Sequence, residues 1–290
     1  MIFSLVTVLL LVVFVLLSVA FSTLFERHVL SLSQGRLGPN KVSFLGFLQA
    51  VLDGVKLIKK EQVLPINSSE LSFLGFPGLV FLVLFLEWFC VPFLFFFLRF
   101  QFSFLFLLCL VGFSVYGTLL RSVRGKSKYS SLGGVRARRQ RVSFEIAFSL
   151  YFICFLFLLK GLELGVLFNF LVLFLFVPFL FIVLAELGRA PFDFSEGERE
   201  LVRGYNTEFS RITFVLLFLG EYGVLLFFCV LSRALFFYFD LFCVFCLFFL
   251  VLFIRSVYPR YRYDFLIRFF WKILLPVSLF FLLVYFLFSF

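Results

Sequence analysis

Long apolar runs separated by shorter polar segments dominate the chain. A helix needs roughly 20 apolar residues to cross the hydrocarbon core of a bilayer, and the pattern predicts spans at 2–25, 71–98, 102–121, 143–160, 164–184, 212–231, 234–254 and 269–289. These runs are too long and too uniformly apolar for the short alternating strands of a membrane barrel. We therefore predict an all-α integral membrane protein with about eight transmembrane helices, forming a single membrane domain over 1–290.

Composition agrees with this pattern. Hydrophobic residues make up 63% of the chain and charged residues 14%, whereas soluble domains have about half and a quarter. The first span lacks a basic n-region and is too long for a signal-peptide core, so we expect a retained helix.

Phe occurs 54 times and Met once, an imbalance that lipid contact does not require. A T-rich codon bias would produce it, which suggests a small, strand-biased organellar genome.

The positive charges lie mainly on one side of this topology. The net charge is +10, and the odd-numbered loops with their flanking turns hold all Lys and Arg residues except Arg99, Lys160 and Arg233. Short basic loops stay on the side from which a membrane protein is inserted, so both termini are expected on the opposite face. Basic loops could bind nucleic acid, but a role as topological signals that contact anionic lipids or acidic partner subunits is favoured.

Two of the polar loops carry recognisable patterns. In the first loop, segment 44–60 places Leu45, Leu48, Leu52 and Val55 near one stripe at helical spacing, which predicts an amphipathic helix on the membrane surface or against a partner. The third loop, 122–142, is strongly basic, and it contains glycines. Long amphipathic or charged loops are thus expected on one face of the membrane.

The acids concentrate in LAELGRAPFDFSEGERELVRGYNTEF at 184–209, which has six carboxylates and three arginines. Ser195 and Glu198 fit a capping box, which predicts a short helix ending near Gly204. On that helix Glu196 and Glu200 share a face, where like charges repel. Such acids need nearby cations, a bound metal or shared protons to offset this repulsion. A solvated acidic loop is the alternative.

Few chemistries are open to this sequence. His28 is the only histidine, and the six cysteines all fall inside predicted spans. No nucleophilic triad, Gly-rich phosphate loop or His/Cys cluster for haem, iron–sulfur or zinc is present in the sequence. Activity is therefore expected to be binding or proton movement, with no metal or flavin held by this chain.

Ionisable residues within or beside the spans are the best functional candidates. They are Glu87, Glu145, Glu186 and Glu221. A charge at mid-bilayer costs, by some scales, about 3 kcal/mol, and low dielectric favours the neutral acid, which can then exchange protons. The alternative for each residue is an interfacial position or a pairing with an arginine.

Six ordered blocks carry a family resemblance. They are ER at 26–27, GRLGPN at 35–40, LQAVLDGVKLIKKE at 48–61, VRARRQRVSFE at 135–145, the acidic segment with GEY at 220–222, and IRSVYPRYRYDFL with WK between 254 and 272. Over nearly the whole chain this order resembles subunit 1 of proton-pumping NADH:ubiquinone oxidoreductase, respiratory complex I, and its bacterial counterpart. That family has eight spans with long odd-numbered loops.

The resemblance implies a membrane-arm subunit that lines the quinone tunnel and couples quinone reduction to proton translocation. It implies an enzyme subunit without a redox centre of its own, with ubiquinone bound between it and neighbouring subunits. It implies the mitochondrial inner membrane, with the basic loops on the matrix side. The implied proton path is Glu145, Glu186, Asp193, Glu196, Glu198, Glu200 and Glu221. The implied quinone-tunnel residues are Arg27, Arg36, Asp53, Arg136, Arg260 and Arg262.

Some positions depart from the family. His28 replaces its usual Lys, Glu87 stands where the family is apolar, and Arg138 with Arg139 adds charge to the third loop. Other functions stay open at this point: a related ion-pumping hydrogenase-type or formate-oxidising complex, a standalone channel or transporter, or a passive assembly anchor with structural carboxylates. A transporter would be expected to have inverted repeats, and the sequence has no detectable repeat.

Overall fold

Residues 2–62, 70–91, 102–159, 161, 170–193, 208–237 and 241–289 are described by a computed structural model. The regular structure within these ranges is helical, which confirms the predicted fold class. We number the helices α1 Ile2–Ser33, α2 Phe47–Lys59, α3 Glu70–Cys90, α4 Ser103–Arg124, α5 Lys128–Leu159, α6 Phe170–Glu186, α7 Arg211–Phe236, α8 Leu241–Val257, α9 Tyr263–Phe269 and α10 Leu275–Ser289. A π-helical turn, Phe270–Leu274, joins α9 to α10.

Six helical stretches in the described part of the chain are long and apolar enough to cross a membrane. They correspond to α1, α3, α4, α5, α7 and the continuous run from α9 to α10. Two shorter apolar helices, Val172–Glu186 and Leu241–Val257, complete the set. A helix thus lies at each of the eight predicted spans.

The fourth span begins much earlier than we predicted. Most of the basic loop expected at 122–142 is helical, because α5 starts at Lys128. The hydropathy of 122–142 is low because arginines are frequent there. Arg, Ala and Gln are nevertheless good helix formers, so the charged residues interrupt the apolar run without ending the helix. The turn before α5 is stabilised by Ser130, whose hydroxyl donates to Ser122 O at 2.8 Å.

The first span also extends further than its apolar run. Helix α1 continues through the polar residues Glu26, Arg27 and His28 and ends at Ser33. Serine and threonine hydroxyls along it, such as Ser22, donate to carbonyls three residues earlier. Glu26 therefore lies within a continuous helix, and the residue is 3% exposed.

The amphipathic helix predicted in the first loop is present as α2. Its apolar side chains Leu48, Val51, Leu52 and Val55 are between 43% and 56% exposed. The polar side of α2 contacts α1, where Arg27 donates to Asp53 Oδ2 at 2.7 Å. The apolar stripe is therefore directed away from the bundle, as expected for a helix that meets lipid or a partner.

Phenylalanine rings fill the interface between α5 and α6. Phe179 lies with its ring centroid 6.1 Å from that of Phe148, 6.4 Å from Phe152 and 6.0 Å from Phe155. These four side chains are at most 2% exposed. Aromatic pairs at such separations add to the gain from burial, so part of the high Phe content contributes directly to the core.

Close approach of α4 and α5 depends on Gly134. A Cβ placed there would lie 2.1 Å from Ser122 Cβ. Since Ser122 Cβ is fixed to the backbone, Gly134→Ala must push the two helices apart, at a cost of about 1–3 kcal/mol. We expect a lower apparent Tm of the detergent-solubilised protein.

The matched control is Gly54→Ala in α2, where no described atom lies within 4 Å of the added Cβ. Ala is favoured over Gly in a helix by up to about 1 kcal/mol, so this variant should keep or raise the Tm. Equal Tm values for Gly134→Ala and the unmodified protein would contradict the close helix contact.

Candidate functional site

The beginning of the acidic segment is held inside the bundle. Helix α6 ends at Glu186, and Gly188 adopts a left-handed conformation with φ 58° that turns the chain. Gln140 of α5, 3% exposed, donates from Nε2 to Ala185 O and to Phe192 O, both at 2.9 Å. One buried amide thus satisfies carbonyls on both sides of the turn, as buried backbone groups require.

A second set of contacts joins this segment to the stretch between α8 and α9. The Tyr261 N–H donates to Pro191 O at 3.0 Å. The rings of Phe192 and Tyr261 stack with centroids 5.8 Å apart. Arg260 pairs with Asp193 at 3.3 Å. The predicted proton-path residue Asp193 and the predicted quinone-region residue Arg260 are therefore in direct contact.

Two arginines pair with the buried acid Glu26. Arg189 Nη1 donates to its Oε2 at 3.1 Å, and Arg255 Nη1 donates to its Oε1. The guanidinium of Arg189 also lies over the ring of Tyr222, 4.2 Å from the centroid, a favourable cation–π contact. We name Glu26, Arg189 and Arg255 the arginine clasp; it joins α1, the turn after α6, and α8.

Our sequence prediction did not include the clasp. The one signal was Glu26 itself, an acid within a long apolar helix and part of the ER block. Its two partners could not be identified, because Arg189 and Arg255 follow it by 163 and 229 residues. Gln140 was missed for a similar reason, since its role is to bond carbonyls of a distant turn.

A cavity of about 150 Å³ lies beside the clasp. It is bordered by α5, the turn after α6, α7 and α8, and its volume suits a few water molecules. The polar residues lining it are Gln140, Arg141, Arg189, Asp193, Glu221, Tyr222 and Arg255. Acids and arginines from four parts of the chain thus surround one small space.

Two of the predicted acids border this cavity. Asp193 is one; the other is Glu221, which pairs with Arg121 Nη1 at 3.5 Å. The Arg121 side chain is 1% exposed and that of Glu221 is 30% exposed. The ion pair joins α4 to α7, so Glu221 fits both possibilities left open by the sequence: it is a cavity-lining acid, and it has an arginine partner.

Glu186 and Glu145 lie next to the cavity-lining residues. Glu186 is 6% exposed, so it is buried even though it ends α6. The charged groups that act on it include Arg141, a cavity residue, and Glu145. The Glu145 carboxylate abuts Gly112 of α4, where an added Cβ would be 2.7 Å from its Oε1. The structure thus brings both predicted acids together around α5.

Three other predicted proton-path residues, Glu196, Glu198 and Glu200, lie outside the described residues, as do the Ser195 capping box and the helix expected to end near Gly204. The described groups contain no cluster of three or more His, Cys, Asp or Glu side chains suited to a metal ion. The described chemistry of the site is therefore that of carboxylates, arginines and a buried amide.

The residues predicted around a quinone tunnel fall in several places. Arg27 and Asp53 form a pair between α1 and α2, and Gln49 Nε2 donates to Asp53 Oδ1 at 2.8 Å. Arg36 is exposed after α1, and Arg136 is half-buried on α5. Arg262 is 89% exposed, and its ion pair at 3.8 Å is with the nearby Asp264.

Comparison with known proteins identifies relatives that cover almost the whole chain. A protein-family model described as NADH dehydrogenase matches residues 6–286. NADH-ubiquinone oxidoreductase chain 1 of Artemia franciscana is 42% identical over 287 residues, covering 94% of this chain and 95% of the relative. The protein of that name from Aedes aegypti is 37% identical over 296 residues, covering 95% and 93%. That from Branchiostoma lanceolatum is 40% identical over 293 residues, covering 96% and 94%.

The arginine clasp makes Glu26 important for stability. Glu26→Gln keeps the shape of the side chain but removes the counter-charge of the buried Arg189, 11% exposed, and of Arg255, which is 38% exposed. Breaking a buried ion pair in this way costs about 3 kcal/mol or more. We expect a marked fall in the Tm of the membrane-extracted protein.

The control is Asp264→Asn, which removes an acid that is 68% exposed and paired across 3.8 Å. Surface pairs contribute about 0–1 kcal/mol, so its Tm should change little. If Glu26→Gln shifted the Tm no more than Asp264→Asn does, the clasp would not stabilise the bundle.

Proposed function

The chain belongs to the NADH dehydrogenase family represented by NADH-ubiquinone oxidoreductase chain 1, and on that basis we propose that it is a membrane-arm subunit of a proton-pumping NADH:ubiquinone oxidoreductase. In this proposal it lines the tunnel for ubiquinone and supplies carboxylates that couple quinone reduction to proton translocation. The electrons come from a redox centre in a neighbouring subunit. The part of this chain is to bind, to exclude water and to hold protons.

The observation that carries the proposal is the charged cavity between α5, the turn after α6, α7 and α8. Asp193 and Glu221 line it, and Glu186, the last residue of α6, stands between its lining residues Ala185 and Leu187 in the chain. In a low-dielectric interior the charge of each acid depends strongly on its neighbours. A proton gained by one acid therefore changes the proton affinity of the next, as a proton path requires.

The arginines set the balance of charge along this path. Arg121 pairs with Glu221 and Arg260 pairs with Asp193, and the charge of Arg141 acts on Glu186. Moving one proton against 100 mV costs about 2.3 kcal/mol, and the redox reaction has to supply that energy. We propose that quinone reduction changes the position or charge of groups near Asp193, and that the change passes along the acids through these pairs.

The quinone side of the proposal rests on two contacts. Arg27 and Asp53 hold α2 against α1, and Arg260 with Asp193 holds the stretch before α9 against the turn after α6. We propose that Arg27, Arg36, Asp53, Arg136, Arg260 and Arg262 belong to the tunnel or its entrance, and that Glu145, Glu186, Asp193, Glu196, Glu198, Glu200 and Glu221 belong to the proton path.

Partners and location follow from the same function. We propose the mitochondrial inner membrane, with the basic loops on the matrix side and both termini on the other. The exposed apolar stripe of α2 suits contact with lipid or with subunits of the quinone module. Anionic lipids suit a groove of about 600 Å³ lined by Val142, Ile146 and Trp271 with Arg138 and Arg139, since phosphate would meet the guanidinium groups.

The proton path is tested by Glu186→Gln, which keeps size and hydrogen bonding but removes the exchangeable charge. We expect coupled NADH:ubiquinone turnover to fall by about tenfold or more, the effect of losing at least 1.4 kcal/mol of transition-state stabilisation. The number of protons pumped per electron should also fall. Both are measured with the intact complex in proteoliposomes.

Glu61→Gln is the matched control, because Glu61 is an exposed acid just beyond the end of α2. It should leave turnover and pumping unchanged. Normal assembly with unchanged proton pumping in Glu186→Gln would refute the role of Glu186 in the path.

The tunnel assignment is tested by Asp53→Asn, which weakens the contact between α2 and α1 by removing the charge opposite Arg27. If the pair shapes the quinone entrance, the KM for ubiquinone should rise by up to roughly fivefold, equivalent to about 1 kcal/mol, the upper end for a partly exposed ion pair, while kcat changes little. Steady-state kinetics over a range of quinone concentrations separates the two constants. A lower kcat with unchanged KM would contradict the assignment.

A further inference from the structure

Glu87 is a buried acid that the proposed path does not use. It lies three residues before the end of α3, and it is 2% exposed. The sequence marked it as a departure from the family. Its burial shows that the side chain does not reach solvent or the lipid-facing surface. The presence of an ionisable group in this apolar interior therefore requires an explanation.

The surroundings of Glu87 fix this orientation. One turn before it, Leu84 packs against Gly223 of α7, where a Cβ would lie 2.4 Å from the Leu84 side chain. One residue after it, Trp88 meets the ring of Phe227 of α7 at 6.2 Å. Leu84, Trp88 and Cys90 all belong to the apolar core. Glu87 shares this helix face, so its carboxyl is held in the interior.

The carboxyl is also incompletely satisfied. Its Oε2 is buried and has no hydrogen-bond partner among the described residues. A buried ionised carboxylate without such a partner is strongly disfavoured. The charged groups that act on it are Glu186 of α6 and Arg141 of α5, and the Cys90 thiol lies near it on α3.

Glu87 does not stand alone among the buried acids. Glu186 acts on Glu87, Glu145 acts on Glu186, and the charge of Arg141 acts on both Glu87 and Glu186. If Glu87 and Glu186 were both ionised, their like charges would repel each other in a medium of low dielectric. Like charges in such a site share protons rather than ionise together.

We propose that Glu87 is a further proton-holding residue, which exchanges a proton in step with Glu186 and extends the carboxylate path into the interface of α3 and α7. The step is simple protonation: the carboxylate gains one proton when Glu186 is ionised, and the acid releases it when Glu186 is neutral. This inference rests on the proposed function. A purely structural acid at this place would not need to change its protonation.

The experiment uses the intact complex reconstituted into proteoliposomes, with Glu87→Gln, Glu87→Asp and the exposed control Glu61→Gln. Glu87→Gln keeps the volume and cannot exchange a proton, so protons pumped per electron should fall at least twofold. Glu87→Asp keeps a carboxylic acid, so it should recover at least half of the decrease in protons pumped per electron that Glu87→Gln causes. Glu61→Gln should equal the unmodified complex.

An unchanged ratio of pumped protons to electrons in Glu87→Gln would overturn the inference, because packing defects lower the rate rather than the ratio. The separate variant Glu186→Gln distinguishes the two proposals. If Glu186→Gln lowers the ratio and Glu87→Gln does not, only the role of Glu87 fails. If neither lowers it, the proposed carboxylate path fails as well.

If Glu87→Gln does not assemble, infrared difference spectra of the Glu87→Asp complex decide. Reducing the quinone should change the C=O stretching band of a protonated carboxylic acid, and this band should shift between the unmodified complex and Glu87→Asp. Identical difference spectra of these two complexes would overturn the inference. A band that shifts would support it, since only a group that changes protonation or environment contributes.

Discussion

The charge of Glu26 has to be compensated inside the bundle, and much of the described architecture follows from how this is done. In a bilayer there is no water to hydrate such a group, and an unpaired buried charge is costly. Arg189 and Arg255 provide the compensation, one at each carboxylate oxygen. Because Arg189 must reach α1, the chain after α6 has to remain in the interior instead of passing directly to the surface.

Because that turn stays inside the bundle, the backbone groups of its irregular structure need hydrogen-bond partners. Such backbone is tolerated at membrane depth only where protein groups or a polar cavity satisfy it. Gln140 Nε2 donates two such hydrogen bonds, to Ala185 O and to Phe192 O. The same irregular turn brings Asp193 to the cavity wall. The proposed proton site is therefore a consequence of the way the turn is stabilised.

The sequence predicted the helices better than the site. Hydropathy placed a helix at each predicted span, because a run of about 20 apolar residues is what a membrane-crossing helix needs, but it misplaced the start of α5, where arginines continue the helix. Glu186 and Glu221 were recognised as costly charges in apolar surroundings. The ion pair of Glu221 with Arg121 and the clasp around Glu26 depend on contacts between distant segments. Periodicity along one chain contains no information on such contacts, so composition alone could not identify them.

The helical start of α5 links the two proposed regions. Gln140, Arg141 and Glu145 lie within two turns of one continuous helix, with a rise of about 1.5 Å per residue. Gln140 tethers the turn after α6, and Pro191 and Asp193 bind that turn to the stretch before α9. A displacement of this stretch cannot leave the Arg260–Asp193 pair unchanged. Since Asp193 lines the cavity, the position of a surface segment and the charge inside the bundle are mechanically connected.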